Sequence, residues 1–136
     1  MASKPIVLSV SCPKCRKSLM DNDVLINNKQ SVRLNIAMNG DRKGNLHLSS
    51  IYGDFSYTSN IPIKDGEIVN FICPYCKGNL KRRVRCELCD APIVSFTVDI
   101  GGRVSICSRK GCKNHYMVFE DIETVIRKFY IEFGDI

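Results

Sequence analysis

Eight cysteines in four close pairs are the residues of this 136-residue chain whose type and spacing are suited to chemistry. The pairs are Cys12 with Cys15, Cys73 with Cys76, Cys86 with Cys89, and Cys107 with Cys112. Two residues between cysteines let a tight turn aim both sulfurs at one point, and two such turns form a tetrahedral cage of four thiolates. We therefore expect the chain to bind two metal ions, with zinc as the first choice.

The filled coordination sphere decides what such ions can do. Four cysteine ligands leave no open position for water or substrate, so we expect structural zinc and no enzyme activity. The same cage suits iron, and a rubredoxin-like electron carrier with iron at one site is the weaker alternative. The string from Cys73 to Cys76 (CPYC) also occurs in glutaredoxin active sites, but Lys77, Gly78 and Asn79 follow it as a turn. A dithiol oxidoreductase needs a helix there.

The spacing leaves open which pairs share an ion. Consecutive pairing, first with second and third with fourth, is favoured because shorter loops close at a lower entropic cost. Interleaved pairing and pairing of the two central knuckles remain alternatives. His115 follows Cys112 by three residues. Since the cysteines already complete two cages, we expect His115 beside a site or on the surface and not among the ligands.

Charge and hydropathy limit the functional classes. The formal net charge is +6, but each zinc ion with four thiolates contributes about −2, so the metal-bound protein is nearly balanced. No apolar run approaches the ~18 residues that span a bilayer, and the first residues lack a signal-peptide pattern. We expect a cytoplasmic protein with no membrane association and no small-molecule substrate. A reducing compartment also favours metal binding over disulfides.

Strands are predicted to position most of the cysteines. Residues 31–38 alternate, with Val32, Leu34, Ile36 and Met38 on one face, which is typical of a half-buried strand. Residues 18–71 are predicted to form an antiparallel meander. Between the third and fourth cysteine pairs, Gly101 and Gly102 separate two further alternating segments. Both residues of such a turn need a positive φ, which predicts a β-hairpin.

A C-terminal helix is predicted over residues 120–136, with Asp121 near its start. Apolar residues recur there at helical spacing and would form one stripe. The stripe consists of Ile122, Val125, Ile126, Phe129, Tyr130 and Phe133. Because an exposed stripe of this size marks an interface, we expect a protein partner or a homo-oligomer through this helix.

The basic segment Lys81, Arg82, Arg83 and Arg85 supports an alternative function. In a regular strand, Lys81, Arg83 and Arg85 would share one face and could contact successive phosphates. No aromatic residue is interleaved to stack on bases, and the neighbouring thiolates attract the same charges. Nucleic-acid binding is therefore possible and ranks second.

Cys86 through Cys112 resembles a zinc ribbon, in which a hairpin brings two loops to one ion. Cys12 to Cys15 (CPKC) and Cys73 to Cys76 (CPYC) are similar to the CPxC knuckles of that superfamily. Four residues, where two are usual, separate Cys107 from Cys112. The resemblance implies metal binding and little about activity, because zinc ribbons serve in transcription factors, ribosomal proteins, enzyme subunits and adapters.

The predicted fold class is mainly β, with two tandem zinc ribbons and a C-terminal helix. The first ribbon would span residues 1–80 with the meander 18–71 inserted, the second residues 81–119, and the helix residues 120–136. The predicted function is a non-catalytic zinc-binding module for protein–protein interaction, or an accessory or regulatory subunit of a larger complex. The alternative is a nucleic-acid-binding ribbon of the transcription or RNA-processing type.

Overall fold

Ten β-strands build the part of the chain that the computed structural model describes, residues 6–99 and 101–118. In chain order they are β1 (Val10–Ser11), β2 (Met20–Ile26), β3 (Lys29–Met38), β4 (Arg42–Ser49), β5 (Tyr57–Ser59), β6 (Asn70–Ile72), β7 (Lys81–Arg85), β8 (Pro92–Val98), β9 (Arg103–Cys107) and β10 (His115–Val118). They form two five-stranded antiparallel sheets, and no helix occurs among the described residues.

The first sheet has the strand order β2-β3-β4-β5, and β6 also pairs with β3. Strand β3 is its centre, and the alternation predicted for residues 31–38 is confirmed. Val32, Leu34, Ile36 and Met38 are all buried, while Arg33 between them is exposed. Apolar side chains on one face of the strand therefore face the core.

The second sheet has the strand order β1-β8-β9-β10, and β7 also pairs with β8. The predicted hairpin is present as β8 and β9, and Gly101 and Gly102 in its turn have φ values of +105° and +116°. Strand β1 comes from the N-terminal part of the chain and pairs with β8, with Val10 opposite Val98. The segment that leads to the first cysteine knuckle is thus an edge strand of the second sheet.

One hydrophobic core joins the two sheets. It contains Leu34 and Ile36 from β3 together with Val94 and Phe96 from β8, and Val10 of β1 packs into the same cluster. The sheets bury these apolar faces against each other, which gives each of them the second layer that a short-stranded sheet needs for stability.

The described residues are mainly β, as predicted, but the predicted architecture with a C-terminal helix is wrong for them. Instead of two tandem ribbons followed by a helix, the described residues form two sheets with a common core and contain no helix. Strand β1 adds to β8 because the pairing satisfies edge backbone groups and buries Val10. The predicted helix over residues 120–136, with its apolar stripe, falls outside the described residues. The division into residues 1–80, 81–119 and 120–136 stays a prediction.

Candidate metal centres

The structure gathers the eight cysteines into two groups of four. Within each group the Sγ atoms all lie within 4.8 Å of one another. The first group is Cys12, Cys15, Cys73 and Cys76, and the second is Cys86, Cys89, Cys107 and Cys112. These are the groups that consecutive pairing predicts, and the interleaved and central pairings do not occur. Both groups could hold a metal ion.

The sulfur–sulfur distances fit a tetrahedral ion better than a disulfide. They are 3.8 Å for Cys12 and Cys76, 3.7 Å for Cys15 and Cys73, 3.7 Å for Cys86 and Cys112, and 3.3 Å for Cys89 and Cys107. A disulfide bond measures about 2.05 Å, and all eight cysteines are free. A tetrahedron with metal–sulfur bonds of about 2.3 Å has edges of about 3.8 Å. Three of the four distances match that edge closely.

The three two-residue knuckles share one backbone turn. In each turn the amide that follows the second cysteine donates to the carbonyl of the first: Arg16 to Cys12 at 2.9 Å, Lys77 to Cys73 at 3.0 Å, and Asp90 to Cys86 at 2.8 Å. Those three donor residues have φ values of +65°, +63° and +65°. The left-handed residue reverses the chain, so both sulfurs of a knuckle face the same point.

Backbone amides also point at the first sulfur of each pair. The amides of Lys14 and Cys15 donate to Cys12 Sγ at 3.3 and 3.5 Å. Equivalent bonds reach Cys73 Sγ from Tyr75 and Cys76 at 3.4 and 3.5 Å, Cys86 Sγ from Leu88 at 3.4 Å, and Cys107 Sγ from Arg109 at 3.5 Å. Such donors stabilise a thiolate, the form that binds metal.

Burial and hydrogen bonding act in opposite directions on the thiols. Burial raises the pKa of Cys73 to about 11 and also raises the pKa of Cys107. A hydrogen bond to the Lys17 backbone is the main cause that lowers the pKa of Cys15 to about 7. For Cys86, burial opposes ionisation, but hydrogen bonds led by Asn114 lower the pKa to about 6. Cys73 and Cys107 therefore need a nearby cation to ionise at neutral pH.

Asn114 is a functional residue that the sequence analysis missed. Its Nδ2 donates to Cys86 Sγ at 3.3 Å, and its carbonyl accepts from the amide of Cys107 at 3.0 Å. An asparagine two residues after a cysteine carries no signal of this role, because the contact depends on how the fourth half-site folds. The side chain of His115 is not described, and the expectation that it lies beside a site or on the surface stays a prediction.

Strand β7 contains the predicted basic segment, but it is not the regular strand that would place Lys81, Arg83 and Arg85 on one face. A register shift separates Lys81 from Arg85, so the strand does not alternate regularly. Lys81, Arg83 and Arg85 are exposed and Arg82 is half-buried, while Arg85 Nη1 donates to the carbonyl of Asp90 at 2.8 Å. A regular row of three cations on one face is therefore not supported, and nucleic-acid binding by these residues stays a prediction.

Comparison of the chain with models of protein families, with curated proteins and with solved structures finds no match in any of the three. The likeness to zinc ribbons therefore rests on the cysteine knuckles alone. Among the described residues, no helix has the length and apolar character needed to cross a membrane.

Cysteine-to-serine variants test the observed grouping. We expect Cys15→Ser, alone or combined with Cys73→Ser, to lower the metal content from about two ions to about one per chain. Cys15→Ser combined with Cys86→Ser should lose both ions, because the two residues belong to different groups. The measurement is elemental analysis of dialysed protein. Loss of both ions in the Cys15/Cys73 variant, with one retained in the Cys15/Cys86 variant, would contradict the grouping.

The contact from Asn114 to Cys86 predicts a pH effect. The hydrogen bond favours the thiolate form of Cys86, whose pKa is about 6. We expect Asn114→Ala to remove this bond and to raise that pKa. Protons would then compete with the metal for the Cys86 sulfur at higher pH. We expect half-maximal occupancy of the second site to move up by about half a pH unit to one unit. Co²⁺ absorbance during a pH titration measures it. Asn45→Ala, which changes an exposed asparagine in β4, should leave the midpoint unchanged, and equal shifts would refute the role of Asn114.

Proposed function

We propose that this chain is a non-catalytic zinc-binding protein whose two ions are structural and hold its loops in place for binding a partner. The observation that carries the proposal is the completeness of both cysteine groups. Four sulfurs within 4.8 Å of one another can fill all four positions around a tetrahedral ion. An ion so enclosed has no position for a water or substrate, which supports a role in structure and not in catalysis.

Zinc is the metal that best suits a purely structural role. It prefers tetrahedral thiolate sites and has no redox chemistry of its own. Iron in one of the cages would give a rubredoxin-like electron carrier, which remains the weaker alternative.

The placement of the first site supports a bracing role. Cys12 follows β1, which belongs to the second sheet, and Cys73 follows β6, which belongs to the first sheet. An ion held by both knuckles would tie the two sheets together. At the second site, Cys86 follows β7 and Cys107 ends β9, both in the second sheet. An ion there would fix β7 and β9, which both pair with β8 in one sheet.

The tips of two knuckles support the binding role. Leu88 in the third knuckle is 75% exposed, and Tyr75 in the second knuckle is 45% exposed. Large apolar side chains held outward on metal-braced turns are suited to contact a partner protein. This supports an accessory or regulatory subunit that docks through its knuckles.

Metal analysis and chelation test the structural role. We expect the purified protein to be colourless and to carry about two zinc ions per chain. Removal by a chelator should unfold it, because structural zinc contributes roughly 10–16 kcal/mol of apparent binding free energy per site. Circular dichroism and the melting temperature report the loss, and re-added zinc should reverse it. Unchanged spectra and melting after complete removal would refute the proposal, and a coloured iron protein would favour the electron carrier.

Site-specific crosslinking tests the docking role. A photoreactive residue at Leu88 should yield a discrete protein adduct in the native host, because a docked partner would cover that tip. The matched control is Leu25, which is 59% exposed on β2 in the other sheet, and it should yield no adduct. Equal crosslinking at the two positions, or none at Leu88, would contradict docking through the third knuckle.

A further inference from the structure

A second candidate site lies in a cleft of about 650 Å³ beside the first cysteine group. Four segments form its walls: residues 11–14 and 16 around the first knuckle, residues 80–82 at the start of β7, residues 95–98 of β8, and residues 101–103 at the turn into β9. Its volume is in the range of pockets that take small ligands, about 300–1,000 Å³.

Among the described residues, the Lys, Arg, Asp and Glu side chains that line this cleft are all basic. They are Lys14, Arg16, Lys81, Arg82 and Arg103, and no aspartate or glutamate of the described ranges is among them. None of the five forms an ion pair within the described part of the chain. By contrast, Arg42 pairs with Glu67 at 2.6 Å and Lys110 with Asp65 at 3.1 Å. The cleft cations are therefore available to an outside anion.

Arg103 adds a further cation to the cleft wall. Among the described residues its Nε is buried and has no hydrogen-bond partner, and Nε of Arg109, which does not line this cleft, is unpaired in the same way. The charge of the Arg103 guanidinium, and not this enclosed atom, therefore favours an anion in the cleft.

The adjacent metal site does not account for all of this charge. One ion with four thiolates carries a net charge of about −2, while five cations line the cleft. Even if the site neutralised two of them, about three positive charges would remain in a concave surface that concentrates their field. Balancing the thiolates is thus an insufficient explanation for the cleft.

The fold also brings an aromatic side chain to this region, which the linear sequence did not show. The Lys14 side chain packs over Gly78, where a Cβ would lie 2.7 Å from its Cδ. Gly78 closes the knuckle that carries Tyr75, whose ring is 45% exposed and lies 5.3 Å from Lys17 Nζ. Exposed aromatic rings beside cations are the usual platform on which bases of single strands stack.

We propose that this cleft binds the phosphodiester backbone of single-stranded nucleic acid, with Tyr75 of the neighbouring knuckle stacking on a base. The inference rests on the zinc-braced scaffold proposed above, because the first cysteine group positions both Lys14 and Tyr75. The site differs from the basic row predicted on β7, since it includes cations of the first knuckle and Arg103, and it leaves out Arg83 and Arg85.

Fluorescence anisotropy with labelled oligo-uridine and oligo-deoxythymidine of about 15 nucleotides tests the proposal on zinc-loaded protein. We expect Lys81→Ala with Arg82→Ala to weaken binding about tenfold and to reduce the salt-dependence slope by about 1.4, because two phosphate contacts are lost. Tyr75→Ala should weaken binding at least about fivefold, whereas Tyr75→Phe keeps the ring and should bind like the parent.

The matched control removes two exposed lysines from the other sheet, Lys29→Ala with Lys43→Ala, and should change affinity less than about twofold. Equal losses in both double variants would refute the cleft as the site. The proposal is also overturned if duplex, mononucleotide or polyglutamate competes as well as the single strand. Zinc content and circular dichroism are measured on every variant. A zinc-loaded, folded chain that does not bind the oligonucleotides refutes the cleft alone, whereas a folded chain without zinc refutes the scaffold.

Discussion

The thiolates of each cysteine group would lie close enough to repel one another, and we expect a bound cation to relieve that repulsion. The sulfurs of Cys15 and Cys73 lie 3.7 Å apart, where two unit charges repel by about 4 kcal/mol at an effective dielectric constant of about 20. Burial adds to this cost at Cys73 and Cys107, whose pKa values are raised. A bound divalent ion turns both penalties into attraction. We therefore expect Cys73 and Cys107 to be thiolates at neutral pH only when their groups hold a metal.

The first cysteine group links this need for a cation to the packing of the two sheets. One knuckle extends from β1 in the second sheet and the other from β6 in the first, so a single ion would join two sheets that already share a core around Leu34 and Val94. The basic cleft uses the same knuckle as one of its walls. We therefore expect removal of the metal ion to loosen the packing of the two sheets and to change the shape of the cleft.

Local patterns predicted the cysteine groups and several strands. Cysteine spacing predicted that the eight cysteines form two groups of four, loop entropy favoured the observed grouping, and the alternation around Leu34 predicted β3. Contacts between distant segments escaped prediction. Strand propensity does not say that β1 will pair with β8, and no sequence rule places Lys17 over Tyr75 or Asn114 on Cys86. The register shift in β7 likewise depends on its neighbour and not on its own residues.

X-ray absorption at the zinc edge measures the central claim most directly, because it reports the atoms that surround the ion. The account predicts about four sulfur neighbours at about 2.3 Å for each of two ions, with no oxygen or nitrogen neighbour. A spectrum with fewer sulfurs and light-atom ligands would show open coordination and contradict a structural role for both ions. Absence of bound metal, with the cysteines joined as disulfides of about 2.05 Å, would contradict the account as a whole.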